Sequence, residues 1–268
     1  MRRVHTLPLA LGALLALAAC GDQITQPTAV QPPAAKAAPE QPQKYLLPTG
    51  VSATMAPGGP FNLRTGPSTG YAVAGTLAGG TAVKITCTAW GETVAGYYTT
   101  SHVWDKLSNG YWVADANVLT GTNRQAARPC IFDDYPYKYA STSGVDQWNF
   151  YNRQCTSFAA HRINWNGTRT GQRFHNWYLG VNFGDAHTWD DAARATGVAV
   201  YSTPAVGRIA QWNKSVGGAS AWGHVAYVAA VYSDGSILIE EYNANPYAYG
   251  TRRLYPGGGY WPSNFIDF

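Results

Sequence analysis

The spacing of apolar and polar positions divides the chain into an all-β part and a mixed part. From about Val51 to Gly121, short apolar runs are separated by turn residues such as Pro57-Gly58-Gly59-Pro60 and Asn109-Gly110. This pattern is typical of a small all-β barrel. We predict one of its strands over Ala82 to Ala89.

From Tyr135 to Phe268 the pattern changes, and it predicts helices as well as strands. One helix is expected from about Thr156 to Ile163. A second is expected from about Trp189 to Ala195, with Thr188 as the residue that caps its start. This part is therefore predicted to be an α+β domain.

Two apolar runs in the second half predict a β-hairpin. His224 to Val231 and Ser236 to Tyr242 are typical of strands, and Ser233-Asp234-Gly235 between them is a turn signal. We therefore expect residues of the two runs to face each other across the hairpin.

The N-terminus indicates export. Arg2 and Arg3 precede an apolar run from Leu7 to Ala19, which is typical of a signal peptide and too short to span a bilayer. Leu17-Ala18-Ala19-Cys20-Gly21 resembles the lipobox of bacterial lipoproteins, which implies cleavage before Cys20 and a lipid on that residue. Ordinary cleavage after Ala18, followed by free secretion, is the alternative.

The segment after the signal is predicted to be a tether. Residues 1–44 contain no Phe, Trp or Tyr, and residues 20–44 are rich in Pro and Ala. Such a segment cannot bury a core. The predicted organisation is a signal peptide at 1–19, a linker at 20–44, a β module at 45–130 and a catalytic module at 135–268.

The charge excludes a dedicated nucleic-acid binder. Removal of Arg2 and Arg3 reduces the 19 Lys and Arg residues to 17, against 15 Asp and Glu, so the net charge of the mature chain is about +2. Binding to nucleic acid would require clustered cations to neutralise phosphates. We expect no nucleic-acid partner and no cofactor, and we expect a monomer.

Cysteine usage points to one disulfide and one thiol. Without Cys20 the chain keeps three cysteines, and thiols of exported proteins tend to pair. Cys87 lies in a predicted strand, and Cys130 follows the last strand of the same module. We predict a Cys87–Cys130 disulfide and a free thiol at Cys155.

Cys155 is the candidate nucleophile. It stands at the start of a predicted helix, where unpaired N–H groups favour a thiolate, and its neighbours in the sequence are polar. A buried structural cysteine is the alternative. Thiolate chemistry also needs a histidine that takes and returns a proton.

His224 is the candidate base among the six histidines. His161 lies about 240° around the predicted helix from Cys155, so it does not face the thiol. His224 opens an apolar strand directly after Gly223, where the backbone can approach another element closely and a polar ring needs a partner.

The third residue is expected on the other strand of the hairpin. If Asp234-Gly235 forms a two-residue turn, alternation places Glu241, Asn243 and Asn245 on the face of His224, and Glu240 on the other face. Strict register brings Asn243 or Asn245 nearest, whereas a bulge or longer turn brings Glu241 across. We infer that Glu241 orients the histidine and that Asn243 supports it, and we expect one of the two glutamates to be solvated.

The second half resembles the cysteine, histidine-dependent amidohydrolase/peptidase (CHAP) family. The resemblance is carried by NFYNRQCTSFAA (149–160), NFGDAHTW (182–189), PAVG (204–207), WGHVAYV (222–228) and IEEYN (239–243). It implies a papain-like α+β fold and a peptidoglycan hydrolase with Cys155 as nucleophile, His224 as base and acid, and Glu241 orienting the ring. Some members bind calcium through acids before the nucleophile. Here Asp146 is the only acid between Gly144 and Cys155, so we predict no metal.

The first half resembles the bacterial SH3-like domain. The matching segments are FNLRTGPS (61–68), VAGTL (73–77), TAVKI (81–85) and GYWVAD (110–115). The resemblance implies a small barrel that binds the cell wall, and the alternative is a spacer. The whole chain is thus expected to be an exported hydrolase of peptidoglycan amide bonds, either an amidase or an endopeptidase, anchored in the membrane by lipid and facing the wall. A non-catalytic wall-binding lipoprotein and a protease acting on proteins are the alternatives.

Overall fold

The computed structural model describes residues 50–121 and 125–268. The predicted signal peptide, the linker at 20–44 and the lipidation at Cys20 lie outside these residues. Within the described ranges, no helix has the length and apolar character required to cross a membrane.

The N-terminal part is an antiparallel sheet curled into a half-barrel. Its strand order is β3-β2-β6-β5-β4-β1-β7. The strands are β1 Val51–Met55, β2 Phe61–Arg64, β3 Val73–Leu77, β4 Ala82–Ala95, β5 Thr100–Leu107, β6 Trp112–Ala114 and β7 Val118–Leu119. The prediction of an all-β first part is confirmed, and its longest strand, β4, continues well past the predicted end at Ala89.

Apolar side chains fill the inside of the curl. Met55, Ile85, Leu107, Val113 and Val118 form one buried cluster that draws on five strands. Because successive side chains of a strand point to opposite faces, Ala53 and Met55, two residues apart on β1, both enter this core. The half-barrel therefore has a hydrophobic core of its own.

A disulfide ties the segment after the half-barrel back to its longest strand. Cys87 on β4 is bonded to Cys130 with a Cα–Cα distance of 4.9 Å, as the sequence predicted. Thr88 pairs with this segment on both sides, since its N–H donates to the Arg128 carbonyl at 2.9 Å and its carbonyl accepts from Cys130 N–H at 2.8 Å. The chain that leaves the half-barrel is thus fixed in position before it enters the second part.

The second part is α+β, as predicted. Six strands form an antiparallel sheet in the order β10-β15-β11-β12-β13-β14, and β8 and β9 form a small separate hairpin. The elements are α1 Cys155–Asn166, β8 Trp177–Tyr178, β9 Val181–Asn182, α2 Trp189–Ala195, β10 Ala199–Tyr201, β11 Ile209–Trp212, β12 His224–Val231, β13 Ile237–Asn245, β14 Ala248–Leu254 and β15 Asn264–Asp267.

Apolar residues are buried on both faces of the six-stranded sheet. One cluster includes Phe158 of α1, Trp189 of α2 and Val225 of β12. A second cluster includes Val228 of β12 and Ile239 of β13. Burial on both faces explains why β12 is almost uniformly apolar rather than alternating.

The two predicted helices are present, with two differences. Helix α1 begins at Cys155 and continues to Asn166, three residues beyond the predicted end. Thr188 precedes α2, but its side chain does not cap the helix. Its hydroxyl donates to the Phe183 and Asp185 carbonyls, and its backbone angles are helical rather than the extended ones of an N-cap residue.

The hairpin has a longer turn than the two-residue alternative. Tyr232 and Ser236 bracket a three-residue turn, and the register shifts by one residue between Val228 and Ala230. Next to the turn Val231 is opposite Ile237, and beyond the register shift Tyr227 is opposite Glu240. Both irregularities move β13 in the direction that brings Glu241 toward His224.

A buried charge cluster joins the two parts. Arg162 on α1 is fully buried and donates to Asp134 at 2.7 Å and to Glu240 on β13 at 2.7 Å. The other oxygen of Asp134 accepts the backbone N–H of Trp90 on β4 at 2.9 Å. Glu240 is therefore not solvated, and neither is Glu241, so the expectation of one solvated glutamate is wrong.

One buried carboxyl in the half-barrel lacks such compensation. Asp105 on β5 is fully buried, and neither of its oxygens has a hydrogen-bond partner among the described residues. Burial, with a further contribution from Asp115, raises the pKa of Asp105 well above its usual value. The folded state then binds a proton more tightly than the unfolded state, so stability falls as pH rises from about 3.8 through the folded-state pKa.

Asp105→Asn should therefore stabilise the protein at pH 7. We expect a gain of about 1 to 3 kcal/mol, because the neutral amide does not have to take up a proton on folding at pH 7, and each unit by which burial raises a pKa costs about 1.4 kcal/mol. Chemical denaturation of both proteins between pH 3 and pH 8 measures it, and the gain should vanish at the acid end. Asp185→Asn, at an exposed carboxylate, is the control and should change little. An Asp105→Asn protein no more stable than the parent at pH 7 contradicts this account.

Candidate active site

Cys155 is the first residue of α1 and is fully buried. The residue before the helix, Gln154, has extended backbone angles and makes no side-chain cap, and Arg153 before it has a φ of 62°. The sharp turn into the helix places the first N–H groups of α1 around Cys155. Cys155 is disulfide-bonded. The expectation of a free thiol at Cys155 is thus wrong for this structure.

The start of α1 is fastened to the end of β13. Asn243 donates its side-chain amide to the Gln154 side-chain oxygen at 2.6 Å and accepts the Tyr247 N–H at 2.7 Å. The Arg153 guanidinium donates to the Tyr247 carbonyl at 2.9 and 3.1 Å. Asn243 therefore acts on the residue beside Cys155 and on the β13–β14 turn.

A second group of polar residues supports the same helix end from inside. The Ser157 hydroxyl is hydrogen-bonded to the Tyr135 hydroxyl and to Asp146. Tyr135 also accepts the Arg153 N–H at 3.0 Å. The other Asp146 oxygen accepts the N–H groups of Trp148 and Phe150, at 2.7 and 3.0 Å. Both oxygens of Asp146 are thus occupied by protein donors.

His224 and Glu241 form a buried pair. His224 Nε2 lies 2.8 Å from a Glu241 carboxylate oxygen, and both side chains are almost inaccessible to water. Gly223 makes this position possible, since its φ is 72° and a Cβ there would lie 2.5 Å from the Trp212 carbonyl oxygen and 2.6 Å from the His187 nitrogen. The predicted close approach at Gly223 is confirmed.

Arg252 on β14 completes the pair and was missed from the sequence. Its guanidinium donates to both Glu241 oxygens, Nε at 2.5 Å and Nη2 at 2.8 Å. The signal lies in strand alternation, because Glu241 is the cross-strand partner of Gly250, and Arg252 stands two residues further along β14 on the same face.

The surroundings keep Glu241 ionised. Burial alone would raise the pKa of Glu241, but the hydrogen bonds and charges of His224 and Arg252 outweigh it and lower the pKa to about 2. A carboxylate held in this state orients the imidazole and stabilises its protonated form. The arrangement is suited to general acid–base chemistry at His224.

The remaining histidines serve other purposes. The His102 ring stacks on Trp90 with centroids 3.8 Å apart, and buried His161 lies 3.3 Å from Asp134. His175 Nδ1 accepts the Trp177 N–H at 3.2 Å, and His187 donates its backbone N–H to the Trp222 carbonyl at 2.9 Å. Within the described ranges, no three His, Cys, Asp or Glu side chains are grouped in a way that could hold a metal ion.

Comparison with known proteins agrees with this arrangement. The family profile described as "CHAP domain" matches residues 145–243. Over 81 residues the chain is 35% identical to uncharacterized protein YraJ of Bacillus subtilis, and the alignment covers 27% of this chain and 69% of YraJ. This chain belongs to the CHAP family. Its CHAP segment contains Cys155, His224, Glu241 and Asn243, whereas Arg252 lies beyond it.

Two further similarities cover less of the other proteins. Staphylococcal secretory antigen SsaA of Staphylococcus aureus is 33% identical over 105 residues, which is 39% of this chain and 33% of SsaA. A crystal structure of an N-acetylmuramoyl-L-alanine amidase from Staphylococcus aureus has a TM-score of 0.38 and 25% identity, and the match covers 50% of this chain and 35% of the amidase chain. This chain thus spans about a third of each of these two proteins.

The low pKa of Glu241 predicts how its partner affects acid stability. An ionised Glu241 stabilises the fold above pH 4.5, and this contribution is lost as pH falls toward 2. Arg252→Gln removes one of the two groups that lower the pKa of Glu241, so Glu241 should take up its proton, and acid unfolding should begin, at a higher pH than in the parent. Stability at pH 7 should fall by about 3 kcal/mol, since one partner of a buried pair is lost.

Circular dichroism between pH 7 and pH 2 measures the acid midpoint. Arg253→Gln is the matched control, because the neighbouring arginine pairs with the partly exposed Asp234 rather than with Glu241. An equal shift of the acid midpoint in both variants would show that the Arg252–Glu241 contact has no special part in acid stability.

Proposed function

We propose that this protein is an exported peptidoglycan hydrolase that cleaves amide bonds with Cys155, His224 and Glu241. The observation that carries the proposal is the buried His224–Glu241 pair at 2.8 Å, inside a CHAP domain whose first helix begins at Cys155. A cysteine at a helix start and a histidine oriented by a carboxylate are the parts that thiol-dependent amide hydrolysis requires.

The reaction begins from the reduced thiol of Cys155, so the disulfide at this residue is first reduced by thiol–disulfide exchange with an external dithiol, which is itself oxidised to a disulfide. His224 takes the thiol proton, and the sulfur attacks the amide carbonyl carbon. The backbone N–H of Cys155 stabilises the negative oxygen of the tetrahedral intermediate. Protonated His224 then gives its proton to the leaving amine, and a thioester forms. Water, deprotonated by His224, hydrolyses the thioester and releases the acid and the thiol.

Other residues hold these groups in place. Glu241 orients the His224 ring and stabilises its protonated form, and Arg252 keeps Glu241 ionised. Asn243 supports the site through Gln154, the residue before the nucleophile. In this role Asn243 is a positioning residue rather than a catalytic one.

The rest of the chain fits attachment near the cell wall. We propose that residues 45–130, which include the half-barrel, form an SH3-like wall-binding module and that residues 135–268 form a papain-like catalytic domain. Similarity to a protein named as a secretory antigen supports export. Lipid on Cys20 would hold the enzyme at the membrane while the linker lets it reach the wall.

Substitution of the nucleophile tests the reaction. With a reductant present, the parent should release soluble fragments from purified peptidoglycan, and Cys155→Ala should release none. Glu241→Gln keeps the shape of the side chain but removes its charge, and should lower the rate about a hundredfold or more. Mass spectrometry of the products distinguishes free stem peptides, made by an amidase, from opened peptide links, made by an endopeptidase.

Three results would contradict the proposal. Hydrolysis by Cys155→Ala above background would exclude Cys155 as nucleophile. Casein digestion by the parent at the rate of wall digestion would favour a protease acting on proteins. Absence of products from the parent in the presence of reductant, with the protein still bound to the wall, would favour a binding protein.

Lipidation is tested on the protein made in a bacterial host. We expect it in the membrane fraction, with a mature N-terminal peptide that begins at Cys20 and carries the mass of a lipid. Cys20→Ser should release the protein from the membrane. A soluble mature chain that begins at Ala19 would instead establish ordinary signal cleavage and secretion.

A further inference from the structure

A groove of about 310 Å³ lies where the half-barrel meets the CHAP part. The half-barrel, the connecting segment and strand β12 all contribute to its walls. Its walls include Lys106, Trp112, Arg128, Ile131, Phe132 and Tyr227. Three parts of the fold thus combine to form one concavity.

The disulfide forms part of this groove and fixes its shape. Cys87 and Cys130 both line it. Thr88 forms backbone hydrogen bonds to Arg128 and Cys130, the residues on either side of Pro129. These bonds fix the backbone of Arg128 in the groove wall, and Phe132 follows two residues after Cys130. The groove is therefore built from covalently and hydrogen-bonded chain rather than from a loose loop.

Two cations line the groove without a carboxylate partner. Lys106 and Arg128 are both partly buried, and neither takes part in an ion pair among the described residues. Lys106 lies over the Trp112 ring at 5.6 Å, and the charge of Arg128 acts on the Tyr227 phenol. In contrast, Arg162 and Arg252 in the interior are each bonded to carboxylates. The groove thus offers positive charge to an incoming anion.

Apolar surface lies beside these cations. The Trp112 and Phe132 rings are 6.0 Å apart, and Ile131 is 51% exposed. A ligand that fits both features carries negative charge and small apolar groups. A short acidic peptide with alanine methyl groups has this chemistry.

The groove is separate from the candidate active site. Tyr227 and His224 are an odd number of residues apart on β12, so their side chains point to opposite faces of the strand. Tyr227 accepts a hydrogen bond from Asn166 at the last turn of α1, whereas Cys155 begins that helix. At 1.5 Å per residue, the two ends are about 16 Å apart. The bond that is cleaved therefore does not lie in the part of the wall that the groove binds.

We propose that this groove is a second binding site for an acidic peptide, the carboxylate-bearing stem peptide of peptidoglycan. Carboxylates of the peptide accept hydrogen bonds from Lys106 and Arg128, and its alanine methyl groups pack on Ile131 and Phe132. The groove holds one stem while the active site acts on another part of the wall. This inference rests on the proposed function for the source of the peptide.

Isothermal titration calorimetry tests the site. The full chain carrying Cys155→Ala, which prevents turnover, is titrated with a soluble stem peptide that has free carboxylates. Lys106→Gln and Arg128→Gln should each weaken binding about tenfold, as expected for loss of one charge-assisted hydrogen bond. The same peptide with amidated carboxylates should bind weakly to all variants, and thermal melts confirm that each variant is folded.

Lys84→Gln is the matched control. Lys84 is an exposed lysine of the same half-barrel and lines a different cavity of about 420 Å³. Its substitution should leave the affinity unchanged. Loss of affinity in Lys84→Gln alone would place the peptide in that other cavity and overturn the proposal. Unchanged affinity in both groove variants would also overturn it, as would equal binding of the amidated peptide and the peptide with free carboxylates.

The failure of this inference is distinguishable from failure of the proposed function. Wall hydrolysis by the parent with no groove-dependent peptide binding would overturn the second site only. Groove-dependent peptide binding with no hydrolysis in the presence of reductant would leave the second site standing and overturn the enzymatic proposal only.

Discussion

The buried guanidinium of Arg162 is stable only with carboxylates beside it, and the packing of the protein depends on this requirement. Asp134 comes from the connecting segment and Glu240 from β13, while Arg162 itself belongs to α1. Removal of one partner would leave an uncompensated buried charge, which typically costs about 3 to 5 kcal/mol. Helix, sheet and connecting segment are therefore positioned together, and the link from Asp134 to Trp90 N–H extends the same constraint to the half-barrel.

The active-site carboxylate depends on this constraint. Since Glu240 faces Arg162, strand alternation sends Glu241 to the opposite face, where His224 and Arg252 meet it. Burial raises the pKa of Glu240 despite Arg162, whereas His224 and Arg252 overcome burial and lower the pKa of Glu241. Two adjacent and chemically identical residues thus have separate roles, one structural and one at the candidate site.

The sequence predicts what local patterns determine. Strand periodicity located the hairpin, and the glycine before His224 indicated a close backbone approach. The pairing of His224 with a residue on the facing strand could therefore be predicted. The choice of Glu241 depended on a longer turn and a bulge, which the sequence allowed but did not require. Asp134 and Arg162 were missed because they are 28 residues apart and no local pattern marks such a pairing. Thr188 was assigned as a cap because threonine is common before a helix, but the short 3-10 turn before α2 gives Thr188 helical backbone angles that the sequence did not indicate.

The matched CHAP segment runs from residue 145 to residue 243. Residues before and after this segment also form ion pairs with its buried side chains. Asp134 lies before it, and Arg252 and strand β15 lie after it. Transfer of only the matched segment into another protein would remove one of the two charged partners of Arg162, Asp134, and one of the two of Glu241, Arg252. It would also remove β15, which lies between β10 and β11 in the sheet. A fusion that keeps the domain intact therefore has to begin before Asp134 and continue through β15.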